Sequence, residues 1–147
     1  MEIRPLTPTY AVSPQIDPAD LAAVKAAGYT TIIDNRPDGE IPPHLHTAVM
    51  KAAAEELGLT FVVNPVVPGG MTMENVRVQS QAIEDATGLV FAYCASGNRS
   101  SVVWALVHAG IRSTDDLIRV PAKYGYNLEP LRGQIDALAA DAAGGKD

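Results

Sequence analysis

Residues 89–101 read LVFAYCASGNRSS, and this stretch decides the fold. The apolar run Leu89–Tyr93 is typical of a buried strand, and the residues from Asn98 to Ala109 are typical of a helix. Cys94, the only cysteine of the chain, opens the loop between them. Ligands of open parallel sheets bind outside the carboxyl ends of the strands. The stretch therefore predicts an α/β domain with a functional loop after this strand.

The chemistry of this loop favours a reactive cysteine. Cys94 lies at the mouth of a predicted helix, whose unpaired N–H groups and positive dipole end favour thiolate over thiol, and Arg99 adds a permanent cation. Gly97 allows the backbone N–H groups to face an anion. A buried, inert thiol is the alternative for Cys94. The hydroxyls of Ser100 and Ser101 are candidates to donate a hydrogen bond to the thiolate or to a leaving group, with helix capping as the alternative. We predict Cys94 and Arg99 as catalytic residues and an anion-binding loop formed by Ala95, Ser96, Gly97, Asn98 and Ser100.

Strand-like and helix-like segments alternate along the rest of the chain, which predicts one α/β domain over residues 1–147 with a central, mainly parallel sheet flanked by helices. The Ala- and Gly-rich end, 142–147, is expected to be frayed. Further strands are predicted at Tyr10–Ser13, Thr30–Asn35 and Thr60–Asn64, and further helices from Asp17 to Gly28, about 43–57, 72–86, from Ser113 and from Asn127.

A second segment is expected near the cysteine loop. Asn35 and Arg36 follow the second predicted strand and would lie at the same edge of the sheet. They are candidates to contact the substrate or to brace the loop. A surface salt bridge of Arg36 with Glu40 or Asp38 is the alternative. Tyr124 and Tyr126 are candidates for the rim of the site, with core packing as the alternative for one of them.

The composition excludes several classes of protein. A net charge of -6 and a pI near 4.9 argue against nucleic acid or an anionic membrane as the partner, and a cationic pocket would instead attract small anions. A single cysteine excludes an intramolecular disulfide. No apolar run approaches the roughly 20 residues needed to span a bilayer, and the N-terminus lacks the apolar core of a signal peptide. We expect a soluble, unprocessed, cytoplasmic protein.

The three histidines do not indicate a metal site. His44 and His46 are two residues apart, so they would face different sides of a helix, and His108 lies in the helix after the loop. Solvated or helix-capping histidines are the expected alternative. The sequence therefore predicts neither a metal nor a cofactor.

Three motifs together resemble a known family. They are residues 94–101 (CASGNRSS), 34–40 (DNRPDGE) and 122–128 (AKYGYNL). The chain is similar over nearly its whole length to the bacterial family called beta-lactamase hydrolase-like protein phosphatase-like. The resemblance implies the protein tyrosine/dual-specificity phosphatase fold. Some members are labelled sulfurtransferases because their loop is similar to that of rhodaneses.

The chain departs from the pattern of cysteine phosphatases at two places. Those enzymes have five residues between cysteine and arginine and usually a histidine before the cysteine. Here four residues intervene, as in rhodaneses, and Tyr93 precedes Cys94. Cysteine phosphatases also use a general acid, and the expected loop, 64–70, contains no carboxylate. Asp38 and Glu40 are possible substitutes, with turn formation and ordinary surface charge as the alternative.

These departures lead to a prediction of sulfur transfer. A persulfide on Cys94 needs only a thiolate and an anion-binding loop, because a thiol or cyanide acceptor then removes the sulfur without a general acid. The expected donor is a small anion such as thiosulfate or a persulfide. Ala95 replaces the arginine that rhodaneses often carry after the cysteine. The alternatives are a phosphatase that hydrolyses a phosphate ester through a phosphocysteine, and a non-catalytic module that binds an oxyanion or a phosphoprotein.

Overall fold

A computed structural model describes residues 1–144 of the chain. Its strands form one five-stranded sheet. They are β1 (Arg4–Thr7), β2 (Tyr10–Ser13), β3 (Tyr29–Asp34), β4 (Thr60–Val63) and β5 (Leu89–Tyr93). The spatial order is β1-β2-β5-β3-β4. β1 is antiparallel to β2, whereas all other neighbours are parallel. The carboxyl ends of four strands therefore meet at one edge of the sheet, with β5 in the middle.

Helices cover both faces of the sheet. α1 and α2 pack on one face, and the four later helices pack on the other. The helices are α1 (Leu21–Ala26), α2 (Thr47–Glu56), α3 (Met73–Asp85), α4 (Asn98–Val107), α5 (Thr114–Ala122) and α6 (Arg132–Gly144). None of these helices is both long enough and apolar enough to cross a membrane.

The alternation of side chains along β5 explains why this strand is central. Val90 and Ala92 belong to the core under α3–α6, and Phe91 and Tyr93 belong to the core under α1 and α2. A strand with both faces buried is a continuous apolar run, as its sequence predicts. Cys94 follows directly and lies at the middle of the carboxyl edge of the sheet.

The structure confirms the predicted α/β class and the mainly parallel sheet, with two kinds of difference. The short strand β1 was not predicted, because four residues that include Pro5 carry no strand pattern. α2 starts at Thr47 and α6 at Arg132, later than predicted, since 3-10 turns containing prolines precede both helices. The predicted frayed tail begins within α6, and its residues 145–147 lie outside the described residues.

Candidate active site

Four loops meet at the carboxyl edge of the sheet and are joined by backbone hydrogen bonds. The N–H of Asn35 donates to the carbonyl of Tyr93, and the N–H of Val66 donates to the carbonyl of Asn35, both at 2.9 Å. On the other side, the N–H of Gln15 donates to the carbonyl of Ala95 at 3.2 Å. The loop after β5 is therefore held between its neighbours.

Cys94 is fully buried at the base of this loop. Its Sγ accepts a hydrogen bond from the backbone N–H of Gly97 at 3.1 Å. Gly97 caps α4 with a φ of 99°, in the left-handed region that favours glycine. The turn thus directs a backbone donor at the sulfur.

Several backbone donors around the cysteine remain unpaired. In the part of the chain that the structure describes, the N–H groups of Ala95, Ser96, Arg99 and Ser100 have no protein acceptor. Two of them belong to the first turn of α4, where the positive end of the helix dipole lies. The loop can therefore bind the oxygens of an anion through backbone N–H groups.

Arg99 keeps one edge of its guanidinium available for such an anion. Nη1 donates to Glu40 Oε2 and to the carbonyl oxygen of Val66, each at 2.8 Å, and Nη2 donates to Glu40 Oε1 at 2.8 Å. These bonds use three of the five N–H groups. The remaining two, on Nε and Nη2, lie side by side and have no acceptor among the described residues. They form the planar fork that binds an oxyanion bidentately.

Glu40 fixes the orientation of this fork. Its carboxylate pairs with Arg99 through both oxygens and also accepts from Arg36 Nε at 3.3 Å. The hydrogen bond from Arg99, assisted by Arg36, lowers the pKa of Glu40. Glu40 is therefore ionised at neutral pH in this arrangement and cannot supply a proton to a leaving group.

A buried polar network holds the start of α4. The hydroxyl of Ser100 donates to Asn35 Oδ1, and Tyr10 Oη donates to the carbonyl of Ser100, both at 2.9 Å. Gln79 joins the two partners, because its Nε2 donates to Tyr10 Oη and its Oε1 accepts from Asn35 Nδ2. All four side chains are buried with their hydrogen bonds satisfied, so the network is rigid.

The structure places the predicted site residues in different roles. Asn35 is fully buried and braces Ser100, so its amide is not open to a substrate. Arg36 donates from Nε to Glu40 and from Nη1 to Gln15 Oε1, both at 3.3 Å. It therefore forms the salt bridge with Glu40 and, through Glu40, braces Arg99.

The hydroxyl groups of the loop are used within the protein. Ser101 Oγ donates to the carbonyl of Gly97 at 2.8 Å, and that of Ser100 donates to Asn35 as described above. Neither donates to the sulfur. Ser96 Oγ accepts from the N–H of Asn98 at 3.2 Å. The hydroxyls therefore shape the loop, and Ser101 does not cap α4, because its hydroxyl donates to a carbonyl instead of accepting from an N–H of the first turn.

An apolar cleft of about 270 Å³ adjoins Arg99. It lies between the loop after β4, the outer face of α4 and the start of α6. Its apolar lining consists of Val66, Val67, Met71, Val102, Leu106 and Leu131, and its polar lining includes Asn98, Arg99 and Gln134.

Two contacts of the site were not predicted from the sequence. Glu40 was considered as a general acid and as a partner of Arg36, but not as the partner of Arg99, although its position after β3, the neighbour of β5, was a usable signal. Tyr126 was a candidate for the rim of the site, but the hydrogen bond from its hydroxyl to the carbonyl of Ser96 at 2.7 Å gave no local signal, because 30 residues separate the two. The other candidate acid, Asp38, accepts a hydrogen bond from the N–H of Thr47, the first residue of α2, at 2.7 Å. Among residues 1–144, no group of three or more His, Cys, Asp or Glu could hold a metal ion.

Sequence comparison identifies relatives of this chain. The model of a family described as "Beta-lactamase hydrolase-like protein, phosphatase-like domain" matches residues 2–111. The beta-lactamase hydrolase-like protein of Agrobacterium fabrum is 35% identical over 122 residues, 82% of this chain and 28% of that protein. The protein of the same description from Xylella fastidiosa, strain Temecula1, is 29% identical over 130 residues, 87% of this chain and 30% of that protein. The chain thus spans less than a third of the length of these relatives.

Solved structures share the fold. A candidate phosphatase from Neisseria meningitidis Z2491 superposes with a TM-score of 0.81 at 34% identity, covering 94% of this chain and 99% of that one. Tk-PTP has a TM-score of 0.75 at 18% identity and covers 97% of both chains. PTPMT1 has a TM-score of 0.71 at 17% identity, covering 97% of this chain and 99% of that one. At these lower identities the likeness shows the fold alone.

The comparisons confirm the resemblance and the phosphatase-like fold that the motifs predict. They do not support the prediction of sulfur transfer from thiosulfate, and they favour the phosphatase alternative instead.

Proposed function

Since the chain belongs to the family of phosphatase-like domains of beta-lactamase hydrolase-like proteins, we propose that it hydrolyses phosphate monoesters through a phosphocysteine on Cys94. We further propose that residues 1–147 act as one catalytic domain. The observation that carries the proposal is that the short segment after Cys94 holds both the unpaired edge of Arg99 and a set of unpaired backbone N–H groups. This set of donors matches the three oxygens of a phosphoryl group.

The reaction proceeds in two displacements. The Cys94 thiolate attacks phosphorus, so an S–P bond forms as the ester P–O bond breaks and the alcohol leaves with the bonding electrons. Water then attacks the phosphocysteine, releases inorganic phosphate and restores the thiolate. The loop N–H groups and the Arg99 fork bind the equatorial oxygens in both steps, where the transition state places its charge.

Among the described residues, neither the loop after β4 nor Glu40 supplies a protein acid for the first step. The loop 64–72 contains no carboxylate, and Glu40 is ionised by its two arginine partners. The leaving oxygen must then depart as an anion or take its proton from water. The rate of the first step therefore depends strongly on the acidity of the alcohol.

This dependence gives a prediction. In a series of substituted phenyl phosphates, we expect kcat/KM to rise by about tenfold or more for each unit by which the phenol becomes more acidic, as for a nearly uncatalysed departure. The dependence of kcat/KM on the acidity of the phenol is measured from initial rates of phenol release at one fixed pH, with substrate below saturation. A flat series, with rates independent of the phenol, would reveal a proton donor and contradict this mechanism.

The apolar cleft next to Arg99 supports an apolar substrate. A phosphate held by Arg99 would direct its organic group toward side chains such as Val66, Met71 and Leu131, which favour an aryl or alkyl group over a sugar. We therefore infer that the substrate is a phosphate monoester of an apolar alcohol or a phenol.

The proposed function is tested by assaying one protein preparation with an aryl phosphate and, separately, with thiosulfate plus cyanide. We expect release of inorganic phosphate from an aryl phosphate and no thiocyanate from thiosulfate plus cyanide. The Cys94→Ser protein is the matched control, because it retains the loop but loses the thiol. Thiocyanate formation that requires Cys94, without release of phosphate, would overturn the proposal and restore sulfur transfer.

A further inference from the structure

Tyr126 contacts the cysteine loop from a distant part of the chain. It follows α5, is buried in the core under α3–α6, and places its hydroxyl against Gly97. A Cβ atom at Gly97 would lie only 2.2 Å from Tyr126 Oη. The hydroxyl donates to the carbonyl of Ser96 at 2.7 Å. Glycine at this position thus leaves room for the tyrosine, and the tyrosine binds the loop.

The hydrogen bond from Tyr126 acts on the same peptide group that donates to the sulfur. The carbonyl of Ser96 and the N–H of Gly97 belong to one planar trans peptide unit and point in opposite directions. Tyr126 binds the carbonyl at one end, and Cys94 Sγ accepts from the N–H at the other, at 3.1 Å. Fixing the carbonyl therefore fixes the direction of the N–H, and it also polarises the peptide toward the sulfur.

Arg4 extends this chain of hydrogen bonds to a permanent cation. Its Nη1 donates to Tyr126 Oη at 2.6 Å from the adjacent strand β1. A phenol that accepts from a guanidinium becomes a stronger donor. Burial raises the pKa of Tyr126, so its hydroxyl keeps the proton that it donates. The positive charge of Arg4 is thus linked to the sulfur through Tyr126 and one peptide group.

We propose that Tyr126, supported by Arg4, is a positioning residue that stabilises the Cys94 thiolate by aiming the Gly97 N–H at Sγ. The proposal rests on the proposed function in taking Cys94 as the nucleophile. It assigns to Tyr126 an effect on the charge of the sulfur, beyond packing of the core. The other titratable groups that face this region are Arg99 on α4, Tyr10 on β2 and Glu2, which pairs with Arg4.

The test measures the thiolate directly by its ultraviolet absorbance as a function of pH. Each profile is taken as the difference from the same variant carrying Cys94→Ser, which removes the contribution of tyrosines. For Tyr126→Phe, at the pH where the wild-type cysteine is half ionised, we expect the thiolate-to-thiol ratio to fall about three- to tenfold. This readout does not depend on phosphatase activity, so the proposed function can fail without affecting it.

Tyr124→Phe is the matched control, because Tyr124 lies two residues away and donates instead to the carbonyl of Pro5 at 2.9 Å. Its profile should equal that of the wild type. An unchanged profile for Tyr126→Phe, or equal shifts for the two tyrosine variants, would overturn the proposal. If Tyr126→Phe does not fold, Arg4→Met decides: a fall of the ratio in the same direction supports the relay, and an unchanged ratio overturns it.

Discussion

Replacing Cys94 by serine is expected to reduce the hydrolysis of an aryl phosphate by about 10⁴-fold or more. The proposed nucleophile is a thiolate, whereas a serine hydroxyl at the same position is not ionised at neutral pH and has no neighbouring base in the described site. The S–P bond therefore cannot be replaced by an efficient O–P bond. Phosphate release under saturating substrate measures the loss.

The Cys94→Ser variant should still bind an anion. The N–H groups of the loop and the fork of Arg99 do not depend on the sulfur. Calorimetric titration with inorganic phosphate is expected to give an affinity within about threefold of the wild type. Hydrolysis that persists at about a tenth of the wild-type rate or more would show that Cys94 is not the nucleophile.

Arg99→Lys is expected to lower kcat/KM about 10²- to 10⁴-fold, although the charge is conserved. A lysine ammonium cannot offer two parallel donors to the phosphoryl oxygens while it also pairs with Glu40 and the carbonyl of Val66. The planar fork is lost, and with it the stabilisation of the transition state. Most of the effect should appear in kcat, because the fork binds the transition state more tightly than the substrate.

The Glu40→Gln variant tests how much the pairing with Glu40 contributes to the role of Arg99. This variant keeps Arg99 but weakens the bidentate pair that orients it, so a smaller loss of about tenfold is expected. A loss for Arg99→Lys that does not exceed the loss for Glu40→Gln would contradict the assignment of the Arg99 edge to the phosphoryl group.

Local sequence signals predicted the fold and the centre of the site. A buried apolar strand, a glycine-containing loop and a following helix form one contiguous segment, so their order is sufficient to place Cys94 at the carboxyl edge of a parallel sheet. The spacing from Cys94 to Arg99 lies within the same segment. The bracing position of Arg36 was also predictable, because it follows the neighbouring strand β3.

The contacts that complete the site were not predictable in the same way. Glu40 meets Arg99 across 59 residues, and Tyr126 meets Ser96 across 30. Such pairs depend on how separate elements pack, which no local pattern records. The same holds for Asn35, whose amide was expected near a substrate but is enclosed by Gln79 and Ser100.

The length of the cysteine loop led the sequence interpretation toward sulfur transfer. Four residues between Cys94 and Arg99 match the spacing of rhodaneses, and the expected loop offered no acid for a leaving group. In the structure, Gly97 adopts the left-handed conformation, the N–H groups of Ala95, Ser96, Arg99 and Ser100 have no acceptor among the described residues, and Glu40 pairs with Arg99. The shorter loop therefore still offers unpaired backbone donors to an anion.

The central claim is that Cys94 carries the phosphoryl group, and trapping that intermediate tests it most directly. Wild-type protein is mixed with an excess of an aryl phosphate, quenched with acid within the first turnover, and examined by intact mass and peptide mapping. We predict one phosphoryl group on Cys94 in the wild type and none in Cys94→Ser. A protein that releases phosphate without this adduct, or that instead gains one sulfur from thiosulfate and loses it to cyanide, would contradict the account.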